Sequence, residues 1–248
     1  MDFTDRALLI TGAASGMGAA TARLFAEAGG NVLIVDQNAA QASEVAAEIG
    51  ADSPLIGDVR SSTFCDTAVA MAIERYGQLD YLVNAAGVIA RADTLSTDDA
   101  AWERVMAVNV NGTFYMCRAA LRHMKPRQSG AIVNFGSIWG GVGAAGVTAY
   151  CASKGAVHNM TRAMALDHAG DNIRINAVCP GEVNTPMLSA ERSEPVTEAL
   201  LAKLAATVPT GRLAHPSEIA RVVLFLLSDE ASYMTGSLIN VDAGFTAR

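Results

Sequence analysis

The sequence predicts an α/β fold in a single domain: a doubly wound parallel β-sheet flanked by helices on both faces. Three observations lead there. Short apolar runs alternate with helical patterns in a βαβαβαβ rhythm. The turns between them are short, so each crossover should be right-handed and bring parallel strands side by side. The 248 residues are 51% hydrophobic and 17% charged, enough apolar material to cover both faces of one sheet. No linker, repeat or low-complexity tract divides residues 1–248.

In chain order, Ala7-Leu-Leu-Ile10 reads as a buried parallel strand. Gly12-Ala-Ala-Ser15-Gly16-Met17-Gly18 follows and opens an Ala-rich helix that stops at Gly29-Gly30. Strand, Gly-rich turn and helix together suit a pyrophosphate, which would meet backbone N–H groups at the helix N-terminus. The spacing is Gly-x-x-x-Gly-x-Gly rather than the Gly-x-Gly-x-x-Gly fingerprint. Asn31 to Val35 is the second strand, and Asp36 ends it, 18 residues after Gly18. An acidic residue there suits the adenosine ribose hydroxyls of a dinucleotide. A helix is expected from Ala39 to Ile49, then a short strand ending near Gly57-Asp58-Val59. A helix from Ser62 to Tyr76 leads to a strand, Leu79 to Val83, ending in Asn84-Ala85-Ala86-Gly87. Asp98 to about Met124 reads as one long helix, yet Asn109-Val-Asn-Gly112 inside it is poor helix material. A kink, a functional site or a plain weak spot is expected there. A strand at 131–136, a helix from about Thr148 to His168 and a strand over Asp171–Val178 follow. After Cys179-Pro180-Gly181 comes a loop and mobile helical segment at about 182–208. Pro216 opens the last helix, to about Leu227, and Ser237–Val241 is the final strand.

Ser137 closes the strand at 131–136, and a Gly-rich loop joins it to Tyr150 and Lys154. Tyr150 and Lys154 are four residues apart, one turn apart on one helix face. An ammonium beside a phenol favours the phenolate, so Tyr150 is expected to have a lowered pKa and to act as a general base. The Ser137 hydroxyl would hold a substrate oxygen.

Net charge is −7, which disfavours a nucleic-acid partner. Met1-Asp-Phe-Thr-Asp-Arg6 has no basic leader before an apolar run, and no uncharged stretch is long enough to span a bilayer. Cys65, Cys117, Cys151 and Cys179 are scattered, as free thiols in a reducing compartment are. His123, His158, His168 and His215 lack ligand spacing, so no metal is expected. The expected location is cytoplasmic.

Taken together, these motifs resemble the short-chain dehydrogenase/reductase (SDR) family, over nearly the whole chain and in the family's order. Thr11-Gly12-x-x-x-Gly16-x-Gly18 is similar to its cofactor loop, and Asp58-Val59 to the pair beside adenine. Asn84-Ala85-Ala86-Gly87 resembles the family's Asn-Asn-Ala-Gly turn, with Ala85 replacing the second Asn. Asn109, Ser137, Tyr150 and Lys154 match its catalytic tetrad. Pro180-Gly181, with Val183 and Thr185, resembles the segment bordering nicotinamide. The resemblance implies a Rossmann fold with a cofactor-binding half at about 1–130 and a catalytic and substrate half at about 131–248, with a lid at about 182–208. It implies NAD as cofactor, held by Gly12, Ser15, Gly16, Met17, Gly18, Asp36, Asp58, Val59, Asn84, Ala85, Gly87, Tyr150, Lys154, Pro180, Gly181, Val183 and Thr185. It implies hydride transfer between the nicotinamide and a small secondary alcohol or ketone. Tyr150 would be the acid/base, Lys154 would lower its pKa and hold the nicotinamide ribose, and Asn109 would hold a water beside Lys154. A homotetramer is implied, with the helices around 98–124 and 148–168 packed at an interface.

The substrate pocket is expected to involve Ser137, Trp139, Val147, Glu182, Met187 and Leu188. Trp139 would either cap the pocket or anchor its loop, and Glu182 would either contact substrate or face solvent. An alternative function is reduction of a 3-oxoacyl thioester on an acidic carrier protein, with Arg122, Lys125 and Arg127 as a docking patch. A non-catalytic dinucleotide-binding protein is a third reading, which the Ser137/Tyr150/Lys154 set disfavours.

Overall fold

The computed structural model describes residues 1–192 and 195–247. Seven strands form one parallel sheet in the order β3-β2-β1-β4-β5-β6-β7. The strands are β1 (Ala7–Thr11), β2 (Asn31–Asp36), β3 (Leu55–Ile56), β4 (Tyr81–Asn84), β5 (Gly130–Phe135), β6 (Ile173–Pro180) and β7 (Leu238–Val241). Period-2 alternation divides each central strand between two cores. Leu8, Ile10, Val32 and Ile34 pack on one face with α1 (Gly16–Glu27), α2 (Ala39–Ile49) and, further along the sheet, α8 (Pro216–Leu227). Leu9, Leu33 and Val35 pack on the other with α3 (Ser62–Tyr76), α5 (Thr113–Arg127) and α6 (Thr148–His168). Helices on both faces explain why the strands read as unbroken apolar runs.

Local chemistry sets the helix limits. Asn38 and Ser61 accept the N–H of Gln41 and Phe64 at the starts of α2 and α3. His215 and Glu218 form a capping box at α8 with Pro216 in its first turn.

Some boundaries differ from the sequence-based expectation. β3 is only two residues long and stops before Gly57. The strand expected at Asp171 begins at Ile173 and continues to Pro180, because Ala169–Asp171 finish the preceding helix as a 3₁₀ turn. The long helix at 98–124 is three pieces: α4 (Asp99–Met106), a π-helical segment (Ala107–Gly112) and α5. The interruption has a packing reason. A Cβ on Gly112 would lie 2.7 Å from Val59 Cγ2, so only glycine lets this turn approach the loop after β3. π segments of this kind are frequent at functional sites. The expected lid contains a 3₁₀ turn (Pro186–Leu188) and α7 (Glu198–Thr207); its residues 193 and 194 lie outside the described residues.

β1 and β4 are neighbours, yet the chain leaves β1 toward β2 and β3 before returning to β4. That reversal opens a crevice at the C-terminal ends of the strands, where ligands bind in open α/β sheets.

Candidate active site

The crevice begins at the loop after β1. Gly12 has φ +68°, and a Cβ there would lie 2.6 Å from Ala86 N. The loop therefore lies directly against the turn after β4, which is tied back by Ala86 N–H donating to Thr11 Oγ1 at 3.2 Å. A cleft of about 250 Å³ runs from here along the strand ends. It is bordered by Gly12, Ser15, Gly16, Met17 and Gly18 at one side, Asp36, Asp58 and Val59 at one end, and Ala85, Gly87 and Thr185 at the other. Asp36 is fixed rather than free: Ala14 N–H donates to Oδ2 at 3.0 Å and Asn38 N–H to Oδ1 at 2.9 Å. Each oxygen keeps lone-pair capacity toward the cleft. A glycine cradle at a helix N-terminus, followed by an oriented carboxylate at the end of β2, fits the pyrophosphate and ribose of a dinucleotide.

A second cavity, about 220 Å³, adjoins the first and shares Met17, Thr185 and Met187 with it. Ser137, Trp139, Val147, Tyr150, Glu182, Met187 and Leu188 all border it, so the residues expected around substrate are brought together. Trp139 borders the cavity, and its ring meets Phe245 edge-on at 5.3 Å, anchoring the loop to the C-terminal arm. Glu182 does not simply face solvent: it borders the cavity, and burial raises its carboxyl pKa against the pull of Arg91 and Arg192. Pro180, Gly181 and Val183, expected to border the nicotinamide, line this second cavity together with Tyr150.

Asn84 and Asn109, also expected at the site, both have side chains bonded within the protein. Asn84 turns its side chain into the sheet, where Nδ2 donates to Asn134 Oδ1 at 2.9 Å and to Cys117 Sγ at 3.2 Å. Asn134 in turn donates to Thr161 Oγ1 at 3.0 Å, so Asn84 belongs to a buried chain linking β4, β5 and α6 rather than to the cleft wall. Asn109 has both amide donors engaged, on Val88 O and Ser153 Oγ at 2.9 Å each, and accepts Val88 N–H at 2.8 Å. Those bonds lock the π segment to the loop after β4 and to α6. Asn109 Oδ1 and Lys154 Nζ flank Gly87, 3.5 and 3.7 Å from where its Cβ would stand.

The Tyr150–Lys154 pair also differs from expectation. Lys154 Nζ donates to Phe135 O at 2.7 Å and sits 5.6 Å from the Tyr150 ring centroid. Burial pushes the Tyr150 phenol up to about 12, with the Ser137 hydroxyl offsetting part of that rise. Burial pushes Lys154 down to about 8. Desolvation penalises the charged form of both groups. Beneath them His158 supports Ser137: its Nε2 lies 3.4 Å from Ser137 N and 3.2 Å from Cys179 Sγ. Burial keeps His158 below its usual pKa and raises the Cys179 thiol to about 11, so both are neutral and Nε2 can accept the Ser137 N–H. Sequence reasoning missed His158, which carries no motif, and Arg91 and Arg192, which lie outside the motifs and meet only in the folded chain. Among the described residues no cluster of His, Cys, Asp and Glu could hold a metal ion, and no helix is long and apolar enough to cross a membrane.

The family model described as Enoyl-(Acyl carrier protein) reductase matches residues 12–246. The chain is 41% identical to 2-(S)-hydroxypropyl-CoM dehydrogenase 3 of Xanthobacter autotrophicus, covering 98% of this chain and 97% of that one. It is 42% identical to galactitol 2-dehydrogenase (L-tagatose-forming) of Cereibacter sphaeroides, covering 96% and 93%. Among solved structures, 3-ketoacyl-(acyl-carrier-protein) reductase from Brucella melitensis, complexed with NADH, superposes with a TM-score of 0.90 at 32% identity over 98% of this chain and 99% of that one. With the match spanning nearly the whole length, the chain belongs to the short-chain dehydrogenase/reductase family.

Proposed function

We propose that this enzyme moves a hydride between NAD and a compact secondary alcohol or its ketone. One observation carries the reading: Tyr150 and Ser137 border a small cavity that opens directly into the dinucleotide cleft at Met17, Thr185 and Met187. The loop from Gly12 to Gly18, Asp36, Asp58, Val59 and Lys154 would hold the cofactor, which supplies the carbon that accepts or returns the hydride. In oxidation Tyr150 takes the hydroxyl proton; in reduction it gives one. Ser137 donates to the substrate oxygen and stabilises charge developing there. Lys154, held by Phe135 O at the end of β5, acts on Tyr150 through charge. Asn109 fixes the loop bearing Gly87, and the segment at 182–208 closes over the substrate as a lid.

The relatives' names support the oxidoreductase class. The acyl-carrier reading draws support from the Brucella neighbour, but its docking patch is not free. Arg122 pairs with Asp66, Lys125 with Asp171 and Arg127 with Asp80. A cavity near 220 Å³ also suits a compact substrate. The proposed assembly is a homotetramer. Its support is an apolar groove between α5 and α6, bordered by Phe114, Leu121 and Met164, and light scattering tests it. The four cysteines are free thiols, which supports a cytoplasmic location.

The functional test is NADH fluorescence with purified protein and a panel of secondary alcohols, polyols and hydroxy acids, each with NAD and with NADP. Turnover of a compact secondary alcohol is expected. No turnover anywhere in the panel, with either cofactor, overturns the reading.

A further inference from the structure

Among the described residues, the charged side chains bordering the substrate cavity are Arg91, Glu182 and Arg192. Two positive groups face one negative group, so the cavity wall carries one unbalanced positive charge in a chain whose net charge is −7. Neither arginine forms an ion pair with a carboxylate among the described residues, whereas Arg23, Arg60, Arg104 and Arg212 all do. Both are held in place by backbone. Arg91 Nε donates to Ala190 O at 2.9 Å and Nη2 to Met187 O at 3.2 Å. Arg192 Nε donates to Leu188 O at 2.6 Å. Each guanidinium has five N–H donors, so these bonds fix the planes and leave donors unspent. Burial disfavours the charge on Arg91, nearby Arg192 adds to that, and Glu182 offsets only part of it, so a second anion between the arginines would be welcome. The remaining wall is largely apolar (Ile89, Val147, Trp139, Leu204), its polar side chains being the hydroxyls of Ser137, Tyr150 and Thr185, and it carries no further charge.

We propose that the substrate is a small hydroxy acid, its carboxylate held by Arg91 and Arg192 while its secondary hydroxyl meets Tyr150 and Ser137. A planar guanidinium fork matches a carboxylate, and one monoanion brings the cavity wall to neutrality. Glu182 limits the site to a single negative charge and excludes dianions. This assignment rests on the alcohol dehydrogenase reading above and narrows its substrate class.

The test compares 2-, 3- and 4-hydroxy carboxylates of three to six carbons with their primary amides, which match them in shape but lack the charge. At least one acid should exceed its own amide in kcat/KM by about tenfold to a hundredfold, the worth of one or two charge-assisted hydrogen bonds. Arg192→Gln should bring that acid-to-amide ratio toward one, mainly through KM. Glu182→Gln should widen it, because it removes the opposing charge. Opposite signs from the two variants are not produced by loosening of the lid. If the variants fold poorly, the wild-type enzyme decides by competitive inhibition: butyrate should inhibit more strongly than butyramide. Equal turnover of acids and amides, or equal inhibition, overturns the hydroxy-acid assignment and leaves the dehydrogenase reading standing. A greater effect of sulfonates than of carboxylates overturns the choice of carboxylate. Failure of every alcohol, charged or neutral, removes both.

Discussion

Lys154 stands one helical turn from Tyr150 but spends a hydrogen bond on Phe135 O, 2.7 Å away, rather than on the phenol. The phenol stays protonated, pushed up to about 12 by burial. Oxidation needs Tyr150 to accept a proton, so its rate is limited by the deprotonated fraction. The kcat/KM for alcohol oxidation should climb with pH, by about tenfold per unit below the operative pKa. Ketone reduction needs the proton and should be flat or decline with rising pH. Parallel pH–rate profiles in both directions check this; an oxidation rate independent of pH between 6 and 10 contradicts the assignment.

Tyr150→Phe keeps the ring and its packing while removing the transferable proton. Turnover should fall by about 10²–10⁴-fold, the range for a general acid/base, with NADH binding preserved. Single-turnover kinetics and fluorescence titration separate the two quantities. Near-normal turnover would place the chemistry elsewhere.

Lys154 carries a stability cost. Its folded pKa of about 8 lies below the ordinary 10.5, so between those values the unfolded chain binds more protons and stability rises with pH. Below pH 8 the buried ammonium is charged in both states and destabilises by on the order of 3 kcal/mol. Lys154→Met removes that penalty and forfeits the bond to Phe135 O, worth about 1 kcal/mol. The variant should melt a few degrees higher at pH 7, at roughly 2–4 °C per kcal/mol for a chain of this size, and lose activity. The difference should shrink above pH 10. Calorimetry at pH 7 and 10 measures it, and a lower melting temperature at pH 7 would mean the ammonium is well solvated.

Asp36 decides cofactor choice if its carboxylate meets the adenosine ribose. A 2′-phosphate there would face like charge, and the neighbouring Gln37 and Asn38 are neutral. NAD should be preferred by about a hundredfold or more in kcat/KM, since like-charge juxtaposition costs several kcal/mol. Asp36→Ala should narrow the gap. Steady-state kinetics with both cofactors decides it; equal use by the wild type would remove Asp36 from the ribose.

The segment at 182–208, proposed above as a lid, is fastened at described points by Arg91 on Met187 O and Ala190 O, and by Arg104 on Glu191 at 3.0 Å. Amides of residues 186–190 should exchange faster in Arg91→Ala, and slow in the wild type when cofactor and substrate are added. Hydrogen exchange by mass spectrometry reads both, and identical protection in every state would make the segment a fixed wall.

What the sequence by itself determined is local in origin. Apolar runs punctuated by glycine specify a parallel sheet because strand burial and tight turns depend on nearby residues. The i, i+4 spacing puts Tyr150 and Lys154 on one helix face because helical geometry is fixed. The poor helix formers at 109–112 mark an interruption for the same reason, and a π segment stands there. Tertiary structure decided what each side chain does with its polar atoms. Asn84 turns inward because Asn134 and Cys117 wait across the sheet, and Lys154 finds Phe135 O because β5 ends beneath α6. Arg91 and Arg192 share a cavity only because the chain after β6 folds back over the loop after β4. Their charge balance with Glu182 depends on burial and distance between segments remote in sequence, and no spacing of residues encodes either quantity.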